Sequence, residues 1–317
     1  MTFKKFVQYG IVTILGVIVS VVTFNIYKNE FGLFGNVKGD KIRIYDNERT
    51  TKYLLSFNWI PQNFDAFLFG PSLSDIEMDT SQIEDIKVYN VSMNGANISE
   101  LKYPVENLIN SNKMKLMIVC LDPYLTKNSG KKTSAINPKE YWSTLGSLFT
   151  IKYYLKKYLA LKNPQKDPFV DSWYGYRHNN HDVYKKYDAK ERINSTYKAM
   201  EEGSYSINID KTAIEELNYI FELARENNVK ILGYYYPRHK KIVETNLYKE
   251  EYSKYRTQIE KILKSEDIII DFNTDKFDNI RNRYDTYSDG SHLSKEGGRK
   301  VIKVINDKIS ELNLGKL

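Results

Sequence analysis

Three residues suited to acyl chemistry stand in two distant stretches of the 317-residue chain. Ser72 lies in FLFGPSLSD (67–75), and Asp289 and His292 lie in YSDGSHLSKEGGRKV (287–301). A serine hydroxyl attacks an acyl carbon once a base takes its proton. An imidazole base in turn needs a carboxylate to fix its tautomer and stabilise the imidazolium. Asp-x-x-His within one loop supplies both, with Ser72 as nucleophile, His292 as general base and Asp289 as its orienter. Ser72 also has a local reading, because Ser72-Leu73-Ser74-Asp75 follows the capping-box pattern with Asp in place of Glu. That window alone reads as a helix cap. Taken with Asp289 and His292, it reads as a nucleophile.

The elements that must bring these residues together are visible as apolar runs. DAFLFG (65–70), KVYNVSM (87–93), KLMIVCLD (115–122), VKILGYYYP (229–237) and DIIIDF (267–272) have the continuous character of strands buried on both faces. Helical stretches separate them: SQIEDI, SELKYPVENLIN, TAIEELNYIFELAREN and YSKYRTQIEKILKS, with SKEGGRKVIKVINDKISEL following the last. In the third of these, Ile214, Leu217, Ile220, Phe221 and Ala224 share one face. The alternation predicts an α/β fold, a three-layer α/β/α sandwich around a mostly parallel five-stranded sheet. Chemistry in such sheets gathers at the carboxyl ends of the strands. Ser72, Gly95, Asp122 and the loop 284–292 all fall there. The interval 125–210 is too long for a simple connection and reads as an inserted cap, with a helix expected over 139–162.

The segment FVQYGIVTILGVIVSVVTFNI (6–26) carries no charge, and about 20 such residues span a bilayer core. Lys4 and Lys5 precede it, which predicts a cytoplasmic N-terminus and an extracytoplasmic remainder. No small-x-small cleavage pattern follows, so an uncleaved anchor is expected over a signal peptide. The chain then divides into an anchor (1–28), a linker and approach segment (29–64) and a catalytic domain (65–317). The net charge of +7 is diffuse, without the compact basic block that marks nucleic-acid binding. Cys120, the single cysteine, lies in an apolar run and reads as a small buried hydrophobe. His178, His181 and Asp182 cluster in RHNNHDVY, but without a clear further ligand they read as loop residues, so no metal or cofactor is expected. Trp173, Tyr174 and Tyr176 offer aromatic faces for a sugar ring or for packing of the cap. Arg238 and His239 end the fourth strand, at the cleft or in a surface turn.

FGPSLSD resembles the Gly-Asp-Ser-Leu block of the SGNH/GDSL hydrolase superfamily, and DGSHLSKEGG resembles its closing Asp-x-x-His block. YNVSMNGANISE (89–100) is similar to its second block, where a glycine N–H helps form the oxyanion hole. The resemblance runs from about 65 to 312 outside the insertion. It implies a flavodoxin-like fold and a Ser72–His292–Asp289 mechanism. Pro71 stands where the motif has Asp, and CLDPYL (120–125) stands where the third block carries its catalytic Asn. The oxyanion hole would then rest on the N–H groups of Ser72 and Gly95, with Asn94 or an insertion residue. The anchor, the second block, the LDPY run and the insertion look like the branch that partners membrane-bound O-acyltransferases: the alginate and cellulose acetylation proteins, and DltD of teichoic acid D-alanylation. That branch implies acyl transfer to, or hydrolysis from, a cell-surface polysaccharide or teichoic-acid-like polymer, with weaker substrate contacts at Asp122, Trp173, Tyr176 and Arg238. The competing reading is a non-catalytic assembly or polymer-binding subunit that retains the fold. A secreted lipase fits less well, because the cap shows no extended apolar lid.

Overall fold

The computed structural model describes residues 2–39, 47–127, 136–162, 173–177 and 188–312. Five strands form one all-parallel sheet: β1 (Ala66–Phe69), β2 (Val88–Asn90), β3 (Leu116–Leu121), β4 (Lys230–Tyr235) and β5 (Ile268–Asp271), in the order β2-β1-β3-β4-β5. Each lies inside one of the apolar runs. Leu68 of β1 sits in register between Asn90 and Ile118. Consecutive residues of β1, β2 and β3 are all buried, so both faces of the sheet are covered. The chain leaves β1 toward β2 on one side, and from β2 onward it builds toward β5 on the other. That reversal opens a crevice at the carboxyl ends of β1 and β3.

The main helices are α1 (Phe3–Lys28), α2 (Glu48–Leu55), α3 (Ser72–Asp75), α4 (Ile98–Asn110), α5 (Leu148–Lys162), α6 (Ala189–Glu201), α7 (Lys211–Glu226), α8 (Asn246–Glu260) and α9 (Lys295–Glu311). Asp210 caps α7 by accepting from the N–H groups of Thr212 and Ala213, and Leu217, Ile220, Phe221 and Ala224 are buried on one face. α7 packs against α4. Ser294 caps α9, its Oγ accepting from the Gly297 N–H at 3.2 Å. The paired glycines permit a close approach. A Cβ at Gly298 would stand 2.0 Å from the Glu77 carbonyl oxygen, and one at Gly297 2.2 Å from that of Thr286.

Three segments differ from their sequence reading. SQIEDI forms only a 3-10 turn, Thr80–Gln82, because β1 and β2 are neighbours and a short crossing suffices. The helix expected over 139–162 is two, Glu140–Ser143 and α5, broken where Gly146 approaches α1. A Cβ there would meet Val21 Cγ1 at 2.9 Å. The approach segment is part of the core, since Leu54, Leu55, Trp59 and Ile60 are at most 1% exposed. Each of these buried side chains contributes about 1.5–3 kcal/mol, so the segment is integral to the fold.

α1 is apolar and long enough to cross a membrane, and its side chains are almost all exposed. Its last turns are docked on α5. Asn25 donates from Nδ2 to the Leu145 carbonyl at 3.0 Å and accepts from the Tyr154 hydroxyl at 2.8 Å. Glu30 pairs with Lys157, and Phe31 packs on Phe149 and Tyr153.

Candidate active site

Ser72 is the first residue of α3, directly beyond the end of β1. Pro71 takes the N-cap position at φ −74°, a value the pyrrolidine ring favours. The chain is therefore helical one residue earlier than a capping box at Ser72 requires, and the cap reading is corrected. No side chain caps α3, and Asp75 turns into the interior. As the first helical residue, Ser72 has an N–H with no acceptor inside the helix. Gly70 sets the turn. A Cβ there would lie 2.3 Å from Ser74 Oγ and 2.6 Å from Cys120 Cβ, so only glycine lets the end of β1 cross so close to β3.

The loop after β5 carries the partners. His292 Nε2 is 3.0 Å from Ser72 Oγ, and His292 Nδ1 is 2.9 Å from Asp289 Oδ2. With the carboxylate accepting at Nδ1, Nε2 is left to accept the Ser72 hydroxyl proton. Asp289 is itself held by its own loop, since Oδ1 accepts from the N–H groups of Ser291 (2.6 Å) and His292 (2.7 Å). Burial pushes its carboxyl up. The hydrogen bond and charge of His292, with those two N–H groups, outweigh burial and hold it below the usual carboxylate range. The loop closes on itself through Ser288 N–H to the His292 carbonyl at 2.9 Å and an antiparallel bridge between Tyr287 and Leu293. It is tied to the end of β4 by the Leu293 N–H donating to the buried Tyr236 hydroxyl at 2.9 Å.

Behind Ser72 lies a buried ionic cluster that the sequence did not disclose. Lys52 of α2 is fully buried, and its Nζ donates to Glu48 Oε1 (3.1 Å), to Asp75 Oδ1 (3.1 Å) and to the Ser92 carbonyl. Arg177 Nη2 lies 3.0 Å from Asp75 Oδ2. The cluster grips the turn after β2 as well as α3. Glu48 Oε2 accepts from the Asn94 N–H at 3.1 Å, and Arg49 Nη2 donates to the Asn94 carbonyl at 2.8 Å. Asn94 therefore spends its main-chain N–H on Glu48, and its side chain is exposed. Gly95 follows at φ +64°, a left-handed conformation that suits glycine. The Met93 N–H donates to the Gly70 carbonyl at 3.2 Å, which keeps this turn against the end of β1. Burial, and the neighbouring charge of Glu48, push the Asp75 carboxyl up to about 7 against the opposing pull of Lys52 and Arg177. An amphipathic eight-residue helix gives no sign that its lysine faces inward. The only hint is the run of Tyr53, Leu54 and Leu55 beside it.

Asp122, at the end of β3, accepts from the Tyr124 N–H at 2.9 Å and pairs with Arg238 Nη2 at 2.5 Å. The two line a pocket of about 240 Å³ with Tyr124, Tyr205 and Tyr248. The Tyr124 hydroxyl reaches the Gly95 carbonyl at 3.4 Å, so this pocket adjoins the turn beside Ser72. Trp173 and Tyr176 are not brought to the serine. Trp173 packs edge-on against Trp59 at 4.9 Å, the Tyr174 carbonyl accepts from the Asn90 N–H, and the stretch 173–177 covers the outer edge of β2. Tyr176 is buried beside Asp79. His239 caps the short helix Lys240–Val243 and stacks on Tyr284 at 4.6 Å. Cys120 is buried, as its sequence context indicated. His178, His181 and Asp182 lie outside the described residues. Among the described residues no group of three or more His, Cys, Asp or Glu side chains is arranged to hold a metal ion. Compared with known proteins, the chain matches no protein-family model and no curated sequence.

Proposed function

We propose that this protein is a membrane-anchored serine acyltransferase or esterase of the SGNH type, acting on acyl groups of a cell-surface polysaccharide or teichoic-acid-like polymer. One observation carries the proposal: the continuous relay from Ser72 Oγ through His292 to Asp289, at 3.0 and 2.9 Å. The relay stands at the carboxyl edge of a parallel sheet whose strand order is the flavodoxin-like one, which supports the superfamily reading.

In this mechanism the Ser72 hydroxyl proton passes to His292 Nε2 as Oγ bonds to the acyl carbon. Asp289 stabilises the imidazolium, and the Ser72 N–H, which has no acceptor within α3, would donate to the developing oxyanion. The imidazolium then protonates the departing oxygen, leaving the acyl group on Ser72. A sugar hydroxyl or water, deprotonated by His292, takes the acyl group and restores the serine. Pro71 is compatible with this chemistry, since it supplies the N-cap geometry without needing an N–H. Asp122, occupied by Arg238 and Tyr124, replaces the usual asparagine donor with an ion pair that shapes the adjoining pocket.

The anchor reading of α1 is supported by the burial of Asn25 and Phe31 against α5, since cleavage in this region would strip partners from both sides. A membrane-bound O-acyltransferase is the natural source of an acyl group for a serine held beside the membrane. The non-catalytic alternative has no comparable support, because a decayed site has no need of all three relay members at bonding distance.

Fluorophosphonate labelling of the full chain, with hydrolysis of a small acetyl ester, tests the proposal. Wild type is expected to label and hydrolyse, and Ser72→Ala to do neither. A wild-type protein that does not label, and a Ser72→Ala strain with unchanged surface acylation, would overturn it.

A further inference from the structure

We propose that the exposed face of α5 is a second membrane contact, an interfacial helix lying among the lipid headgroups beside α1. The inference rests on the anchor reading of α1 and is independent of the chemistry at Ser72. Leu148, Ile151, Leu155, Tyr158 and Leu159 are 57–76% exposed and recur at helical spacing along one side of α5. Thr150 and Tyr153, on the other side, are buried. Beyond α1, every exposed large hydrophobic side chain among the described residues except Tyr219 falls within 142–159. This concentration is what a soluble surface avoids.

The occupant follows from what adjoins the stripe. Tyr154 packs edge-on against Phe24 of α1 at 6.0 Å and bonds Asn25, so α5 is fixed at the last turns of the span. An open apolar groove of about 770 Å³ runs between the two helices, lined by Val21 and Phe24 on one side and Leu148 and Ile151 on the other. The stripe is therefore continuous with apolar surface that the anchor reading places in lipid. At about 1.5 Å per residue, the 15 residues of α5 are too short to cross a bilayer and suited to lying along it. Lys152 and Lys156 are exposed along one flank, and Lys162 Nζ sits 4.4 Å from the Tyr158 ring at the helix end. Cations beside an apolar stripe match lipid phosphates above acyl chains. Trp142, 69% exposed in the preceding turn, has the amphipathic ring favoured at that depth.

The test uses the full chain in vesicles of phosphatidylcholine and phosphatidylglycerol, with Cys120 replaced by Ala so that one introduced thiol carries an environment-sensitive fluorophore. Labels at Leu155→Cys and Ile151→Cys report on the stripe. Val12→Cys reports on the span and Tyr219→Cys on water. The stripe labels are expected to be quenched by headgroup spin-labelled lipid more than by mid-chain spin-labelled lipid. Iodide should quench them severalfold less than the Tyr219 label. Iodide quenching equal to that at Tyr219, with Val12 buried in lipid, overturns the interfacial helix alone. If Val12 is also open to iodide, the anchor reading falls with it. Protection of the stripe in native membranes but not in pure lipid assigns the face to a protein partner and likewise overturns the proposal.

Discussion

Replacing Lys52 with Met removes the one cation that three parts of the site share. The side chain is fully buried, and its Nζ serves Glu48, Asp75 and the Ser92 carbonyl. Methionine fills nearly the same volume, so little cavity cost is added. What remains is the buried Asp75, still faced by Arg177, and the largely buried Glu48 without the lysine they share, and breaking a buried pair costs about 3–5 kcal/mol. The pH dependence identifies the charge as the cause. Burial and Glu48 already raise Asp75 to about 7 from 3.8, so the folded state binds the extra proton between those values. Stability from this group is fully present below the lower value and is lost as pH rises toward the upper one. Without Lys52 the upper value moves higher, so the variant keeps losing stability where the wild type has stopped. The gap between them should therefore widen above about pH 7, by up to about 1.4 kcal/mol per unit. Urea unfolding of the full chain in detergent micelles, followed by fluorescence, at about pH 6 and about pH 8.5 reads this gap. A gap below about 1 kcal/mol, or one equal at both pH values, would refute the reasoning and reduce Lys52 to a packing stem.

Asp289→Asn keeps the shape of the relay but removes the charge that, on the proposed mechanism, stabilises the imidazolium. Ester hydrolysis should fall by about 10³–10⁴-fold in kcat with little change in KM; a loss under tenfold would argue against the relay. In the wild type Asp289 is held below its ordinary value of 3.8, so its contribution to stability is present above that value and is lost as pH falls below it. Acid unfolding of Asp289→Asn should lack this component. Gly298→Ala puts a Cβ 2.0 Å from the Glu77 carbonyl oxygen and forces α9 away from the segment after α3. It should cost about 1–3 kcal/mol in thermal or urea unfolding, and an unchanged midpoint would show that α9 docks elsewhere.

The strands were legible because a strand buried on both faces leaves an uninterrupted apolar run, and all five runs became neighbours in one sheet. Ser72, His292 and Asp289 were legible for a different reason. Asp289 and His292 sit three residues apart, and Ser72 follows a run that had to be a strand, so topology alone brings them to one edge. Glu48, Lys52 and Arg177 were not legible. A charged residue is read as exposed unless its partner is known, and Lys52 meets Asp75 and Ser92 only through tertiary packing. Pro71 shows a local limit of the same kind. It moves the helix start by one residue and so releases Ser72 from capping, which the motif S-x-x-D conceals. The two-helix form of 139–162 depends on contact between Gly146 and Val21, 125 positions apart, and no local periodicity records it.

Ser72 and its base are separated by 220 positions. A ribosome completes β1 and α3 long before His292 exists, and the loop that carries His292 docks on Tyr236 only after β4 is in place. On the proposed mechanism the serine is therefore an ordinary alcohol until then, with no imidazole beside it to take its proton. Under that proposal the wide separation acts as a timer, arming Ser72 only when the sheet around it is complete.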